Sequence, residues 1–256
     1  MNKRLIVGTM ILLGIIVVIP FAYDYYLDKD VGNRMPNYLS SYPDVGNYKI
    51  DPATILVSLD EGNADVFTRL QEDPSSVESL TNISFSWTQA DVLKIVKALG
   101  KLVWGDQMDL EHWSVYDFYL QKDCENNPNG FDSAIITYFK AVEVNGMKVY
   151  TTRYIEIDPY YSMVRWGSGA TYPQPILHKW KRFDLAISII TAEDALQISE
   201  EHGGKEARQK VNNKCLIQIS PSKDNDNWFV YYISPADFSM QIDLITGKYK
   251  ILSGNK

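Results

Sequence analysis

The chain has 256 residues, 45% of them hydrophobic and 22% charged, with a formal net charge of −7. This composition excludes a disordered or low-complexity chain and supplies enough apolar residues for one large or two small cores. The acidic balance argues against nucleic acid or anionic lipid headgroups as partners.

Lys3 and Arg4 precede an uncharged, largely apolar run over residues 5–23, broken only by Gly8, Thr9, Gly14 and Pro20. A helix of about 19 residues at 1.5 Å rise spans roughly 28 Å, the hydrocarbon thickness of a bilayer. The run therefore predicts a transmembrane signal-anchor over 5–23. The cations before it and Asp24, Asp28, Lys29 and Asp30 after it put residues 1–4 in the cytoplasm and the bulk of the chain outside, at the cell membrane. A cleaved secretory signal is the alternative, but cleavage after Ala22 would leave Pro20 where a small residue is wanted.

Residues 24–85 read as a stalk with short elements, rich in Tyr, Pro, Asn, Gly and Ser at the start. Tyr23, Tyr25 and Tyr26 match an interfacial aromatic belt. A short strand is expected over 55–59 and a short helix over 63–72, closed by Pro74. From Trp87 the pattern sharpens. Thr88-Gln89-Ala90-Asp91 has the form of a helix N-cap with an acidic residue three positions later. Val92, Ile95, Val96, Leu99, Leu102 and Val103 then recur at the spacing of one buried helix face. Strands are expected over 113–121, 131–144 and 147–158, the last two joined by Asn145-Gly146, a type I′ hairpin signal.

The same order recurs after residue 180. Thr191-Ala192-Glu193-Asp194 is a second capping box, and Gly203-Gly204 is expected to stop its helix. Strands follow over 214–220, 228–234 and 238–244; in the last, Phe238, Met240, Ile242 and Leu244 alternate with Ser239, Gln241 and Asp243. The predicted fold class is therefore α+β. An N-terminal transmembrane helix precedes two tandem modules, 86–180 and 181–256, each one helix packed on a small antiparallel β-sheet.

Three strings in the second module resemble the PepSY domain, a small extracytoplasmic module: residues 190–195 at the helix start, the aromatic strand 228–232, and Ile242-Asp243-Leu244-Ile245-Thr246-Gly247-Lys248 at the end. The resemblance covers about 183–252. At 86–160 a degenerate copy rests on element order alone, because Asp158 is followed by Pro159-Tyr160-Tyr161 rather than Thr-Gly. The resemblance implies a non-catalytic role in binding or inhibiting peptidases, or in regulation outside the cytoplasm. The Asp-x-x-Thr-Gly string also explains itself as a turn, with Asp243 accepting from following amides and Gly247 taking positive φ.

No catalytic or metal-binding constellation is legible. His112, His178 and His202 lack metal spacing. Gly167-Ser168-Gly169 lacks the frame of a nucleophile elbow. Ser220-Pro221-Ser222-Lys223 carries a proline against the helix its chemistry needs, and Asp224-Asn225-Asp226-Asn227 lacks the glycine and glutamate of a calcium loop. No cofactor is expected. Tyr160, Tyr161, Trp166 and Tyr172, among glycines and prolines over 160–180, form an irregular aromatic stretch that either binds a ligand or pins a loop to its own core. Cys124 and Cys215 would lie where disulfides persist, and either a bridge or two thiols fits the sequence. The reading is a non-catalytic binding or regulatory protein, in the manner of a peptidase inhibitor, acting on an extracytoplasmic peptide or protein. A structural subunit of an envelope complex is the alternative, and an enzyme with an unrecognised site the third.

Overall fold

The computed structural model describes residues 18, 19, 22, 45–63, 65–69, 87–105, 113–125, 131–144, 147–158, 162–171, 188–221 and 226–254. In chain order these form β1 (Val45–Lys49), α1 (Ile55–Asp60), β2 (Thr68–Arg69), α2 (Gln89–Trp104), β3 (Ser114–Asp123), β4 (Ser133–Val144), β5 (Met147–Asp158) and β6 (Met163–Thr171). After them come α3 (Ala192–Ser199), a wide helical turn (Glu200–Gly204), α4 (Lys205–Lys210), β7 (Leu216–Pro221), β8 (Asn227–Tyr232), β9 (Phe238–Asp243) and β10 (Tyr249–Ser253).

Both long helices start where a side chain can satisfy the orphan amides of the first turn. Thr88 Oγ1 accepts from Asp91 N at 3.1 Å while Asp91 Oδ2 accepts from Thr88 N at 2.8 Å. Thr191 and Asp194 repeat the exchange at 3.2 and 2.9 Å. The two starts are also tied to each other. Gln89 Oε1 accepts from Ala192 N at 2.9 Å, and Glu193 Oε1 accepts from Gln89 N. In α2, Val92, Ile95, Val96 and Leu99 are buried as the periodicity requires, whereas Leu102 is exposed.

The strands form one ten-stranded sheet in the order β10-β9-β8-β7-β3-β4-β5-β6-β1-β2. Its core face carries Phe118 and Leu120 of β3, Ile136 of β4, Ile155 and Ile157 of β5, Ile217 and Ile219 of β7, Trp228, Val230 and Tyr232 of β8, and Met240 and Ile242 of β9. β7 and β8 alternate buried and half-buried residues along their length, the period-two pattern of a strand with one covered face.

This corrects the expected fold. In place of an α+β pair of tandem modules on separate small sheets, the molecule is dominated by one continuous antiparallel sheet. The join is β3 with β7, in the register Leu120↔Ile219, Gln121↔Gln218, Lys122↔Ile217 and Asp123↔Leu216. Two small sheets would each leave an edge with unpaired backbone groups, and joining the edges satisfies both. Beyond this pairing Cys124 and Cys215 form a disulfide, Cα to Cα 5.3 Å, and Cys124 N donates to Cys215 O at 3.1 Å.

The expected N-terminal transmembrane helix is corrected too: among the described residues no helix is long and apolar enough to cross a membrane. The longest, α2, has 16 residues and carries Asp91, Lys94, Lys97 and Lys101. Of the apolar run 5–23, the structure describes residues 18, 19 and 22; the rest of it, and most of the stalk over 24–44, lie outside the described residues.

Three local expectations also change. Residues 55–59 form a helix, since Asp51 caps a turn through Ala53 N and Thr54 Oγ1 at 3.0 and 2.8 Å. The helix expected over 63–72 is replaced, where described, by a turn and the short β2. Within the aromatic stretch, residues 163–171 form β6, held by antiparallel pairing with β1 from Val45↔Gly167 to Lys49↔Met163. A partner more than a hundred residues away in sequence overrides the loop-like composition.

The described residues divide into two compact units. One comprises Val45–Tyr138, Arg153–Gly167 and Lys181–Lys256. The other includes Phe139–Thr152 and the strand residues 168–171, where Thr151 Oγ1 and Thr152 Oγ1 both donate to Gly169 O at 3.2 Å.

Candidate functional site

The helix that begins at Ala192 is broken at Gly203-Gly204, as the sequence suggests, and a second short helix follows the kink. His202 (φ −118°, ψ 33°) and Gly203 (φ 119°) leave helical geometry, and α4 continues from Lys205. Here the turn opens a groove of about 730 Å³. Its floor is apolar, from Phe131 and Leu196, both buried. Its rim is charged, from Glu193, Glu201, Lys205 and Glu206.

One wall is a fixed polar network. Glu200 Oε1 accepts from Tyr232 Oη at 2.6 Å, and Arg208 Nε reaches Oε1 and Oε2 at 3.1 and 2.8 Å. Arg208 also donates to Asn213 Oδ1 at 2.8 Å. Its hydrogen bonds to Glu200 hold the guanidinium above its ordinary range. Burial, with the Glu200 charge adding to it, pushes the Tyr232 phenol far above its usual value. Lys122 lies on the core face, following Phe118 and Leu120, and only 3% of it is exposed. Burial lowers its pKa, opposed by the charges of Asp132 and Glu200. Asp132, also buried, accepts from Asp123 N at 2.6 Å through Oδ2.

These shifts follow from burial and internal pairing. Lys122 and Tyr232 are buried, and both Glu200 oxygens are engaged. Proton transfer to a substrate needs a group within hydrogen-bond reach of it. The groove offers an apolar strip flanked by charges of both signs.

Of the residues expected to bind a ligand, only Trp166 is among the described residues. Tyr160, Tyr161 and Tyr172 lie outside the described residues. Trp166 is on β6, half-buried, edge-to-face with Trp104 at 5.8 Å. Arg153 lies over the rings of Trp104 and Trp113 at 4.9 and 4.4 Å. These rings pack on the core. Of the histidines only His202 is described, and it stacks on Tyr249 at 4.2 Å with Tyr249 Oη 3.1 Å from Nδ1. Gly167-Ser168-Gly169 lies within β6, and Ser220-Pro221 ends β7. Among the described residues no group of three or more His, Cys, Asp or Glu side chains could hold a metal ion.

The segments around Ile190, Trp228 and Leu244 are joined by hydrogen bonds. Trp228 Nε1 donates to Ile190 O at 2.7 Å, and Ile190 N donates to Leu244 O at 2.9 Å. Asp243 Oδ1 accepts from Ile245 N, Thr246 N and Thr246 Oγ1 at 3.0, 2.7 and 2.9 Å, and Gly247 has φ 69°. These bonds, led by those from Thr246, hold the Asp243 carboxyl below its ordinary value. Sequence reading missed Phe131, Glu200, Arg208 and Tyr232. Two signals were present: a glycine pair inside a helical pattern, and Lys122 at a core position of an alternating strand.

No family model matches this chain, and no curated protein matches it. Among solved structures it is similar to the 12:0-ACP thioesterase from Umbellularia californica, at 9% identity and a TM-score of 0.20, over 69% of this chain and 91% of that one. A likeness this weak carries no argument about fold or function.

Proposed function

We propose that the chain is a non-catalytic binding or regulatory protein acting outside the cytoplasm, with a peptide segment of a partner protein held in the groove beside the Glu200–Gly204 turn. The observation that carries this reading is the groove itself, an apolar floor of Phe131 and Leu196 under a charged rim. Its size suits side chains of a peptide, and the Glu200–Arg208–Tyr232 network keeps its wall rigid, which lowers the entropy cost of binding. The resemblance of residues 183–252 to the PepSY domain favours the same role. The Cys124–Cys215 bridge favours the location, since disulfides persist where the surroundings are oxidising.

The test is a photoreactive amino acid at Gln197, an exposed groove residue, in the full chain expressed in its own cells, with Val57, exposed and on α1, as the control position. A discrete adduct from position 197 and none from 57 is the expected result. The same adducts from both positions, or none from 197, would overturn the reading.

A further inference from the structure

We infer that β10 is a docking edge that accepts an extended, acidic strand of a partner protein. This surface is separate from the groove and does not rest on it.

β10 stands at one end of the sheet, and each of its residues is exposed. Its ladder with β9 determines which backbone groups are engaged. Asp243 N donates to Lys248 O at 2.8 Å, so Lys248 is a hydrogen-bonded position. In an antiparallel pair such positions alternate. Lys250, opposite Gln241, is therefore the next one, whereas Tyr249 and Ile251, opposite Ile242 and Met240, turn their N–H and C=O groups outward. No described strand pairs with those groups. They form a ready template for one more strand.

The side chains say what kind of strand fits. Ile242 and Met240 are fully buried on the core face, and Tyr249 and Ile251 continue that face to the edge. There they are 45% and 48% exposed, so the apolar face runs out of the molecule unfinished. Tyr249 is held in place by its stack on His202. An added strand would lay apolar side chains beside Tyr249 and Ile251. On the opposite face Lys250 stands exposed, with Lys248 one turn-proximal step away, and opposite charges across a ladder attract. The partner strand therefore alternates apolar and acidic residues.

Charge also argues against a second copy. The regular part of β10 ends at the register shift between Ile251 and Ser253, so it is centred on Lys250. Two-fold pairing of that part would oppose Lys250 with Lys250 of the second copy, an unfavourable cross-strand pair.

The full-length protein is titrated into a labelled peptide of alternating valine and glutamate, and into its valine and lysine counterpart. The acidic peptide is expected to bind at least about tenfold tighter. Lys250→Glu should reverse that order. Ile251→Pro should weaken binding about tenfold or more by removing an outward donor, and proline is tolerated where a strand N–H faces solvent. Amide exchange in the unaltered protein gives a readout that needs no variant: the peptide should protect Tyr249 and Ile251 while leaving Lys250 as it was. Equal binding of both peptides, or no protection at Tyr249 and Ile251, overturns the inference. Self-association that Ile251→Pro abolishes overturns it in favour of a second copy.

Discussion

Gly204→Ala is expected to destabilise the protein, although helix propensity alone predicts the reverse. Gly204 has helical backbone angles, φ −61° and ψ −46°, where alanine is normally better than glycine by about 1 kcal/mol. A Cβ there would lie 2.3 Å from Tyr232 Oη, 2.6 Å from Tyr232 Cζ and 2.8 Å from Ser199 O. Tyr232 is fully buried and cannot swing out, so its hydroxyl must leave Glu200. Losing a hydrogen bond to a carboxylate costs about 1.5–3 kcal/mol. Overpacking adds about 1–3 kcal/mol. After the propensity gain, the net loss is about 2–5 kcal/mol. Urea unfolding with the disulfide intact measures it. Tyr232→Phe supplies the control, because removing the hydroxyl relieves the closest contact and takes away the hydrogen bond at stake, while the contacts with the ring Cζ and with Ser199 O remain. The double variant should therefore be less destabilised than the sum of the singles by about 1 kcal/mol or more. A neutral or stabilising Gly204→Ala, or strict additivity with Tyr232→Phe, would refute the packing argument.

Removing the bridge by Cys124→Ser with Cys215→Ser, 91 residues apart, should lower stability by up to about 4.5 kcal/mol, read as a lower urea midpoint. Alkylation trapping in cells should find both cysteines oxidised, and free thiols would contradict the extracytoplasmic location. Gln89→Ala removes the acceptor for Ala192 N and should cost about 1 kcal/mol, with α3 amide exchange accelerated at its start. Asp243 titrates below its ordinary 3.8 in the folded chain because Thr246 and Ile245 donate to its ionised form. The unfolded chain thus takes up that proton first as pH drops. The stability Asp243 contributes is full above about pH 3.8 and is lost as pH falls through the folded value. Carboxyl carbon NMR should show the depressed midpoint, and Asp243→Asn should remove that part of the acid slope.

Much of the local structure was legible. Thr88 with Asp91 and Thr191 with Asp194 announced both helices, because a capping box is satisfied within four residues. The alternation from Phe238 to Asp243 announced β9 and its buried face. The Asp243 to Gly247 turn followed from the same kind of local bonding. The candidate site was legible only as anomalies. Lys122 lies just past the strand expected over 113–121, and Gly203-Gly204 marked only where the helix breaks. The partners that give both a meaning, Glu200, Arg208 and Tyr232, meet through burial rather than spacing. The aromatic run around Trp166 was misjudged because its composition favours loops, and only β1 supplies the ladder that makes it a strand.

By itself the sequence determined where the two capped helices start, which face of β9 turns inward, and how the last hairpin closes, because each depends on neighbours within a few positions. It could not determine that β3 and β7 join both halves into one sheet, that the cysteines meet beyond that join, or that a groove opens beside the helix turn. Hydrophobic period tells a strand which face to bury and is silent about its edges. Edges are paired by backbone groups that every residue carries alike, so the tertiary structure alone decides which of them meet and which, like β10 among the described strands, end the sheet.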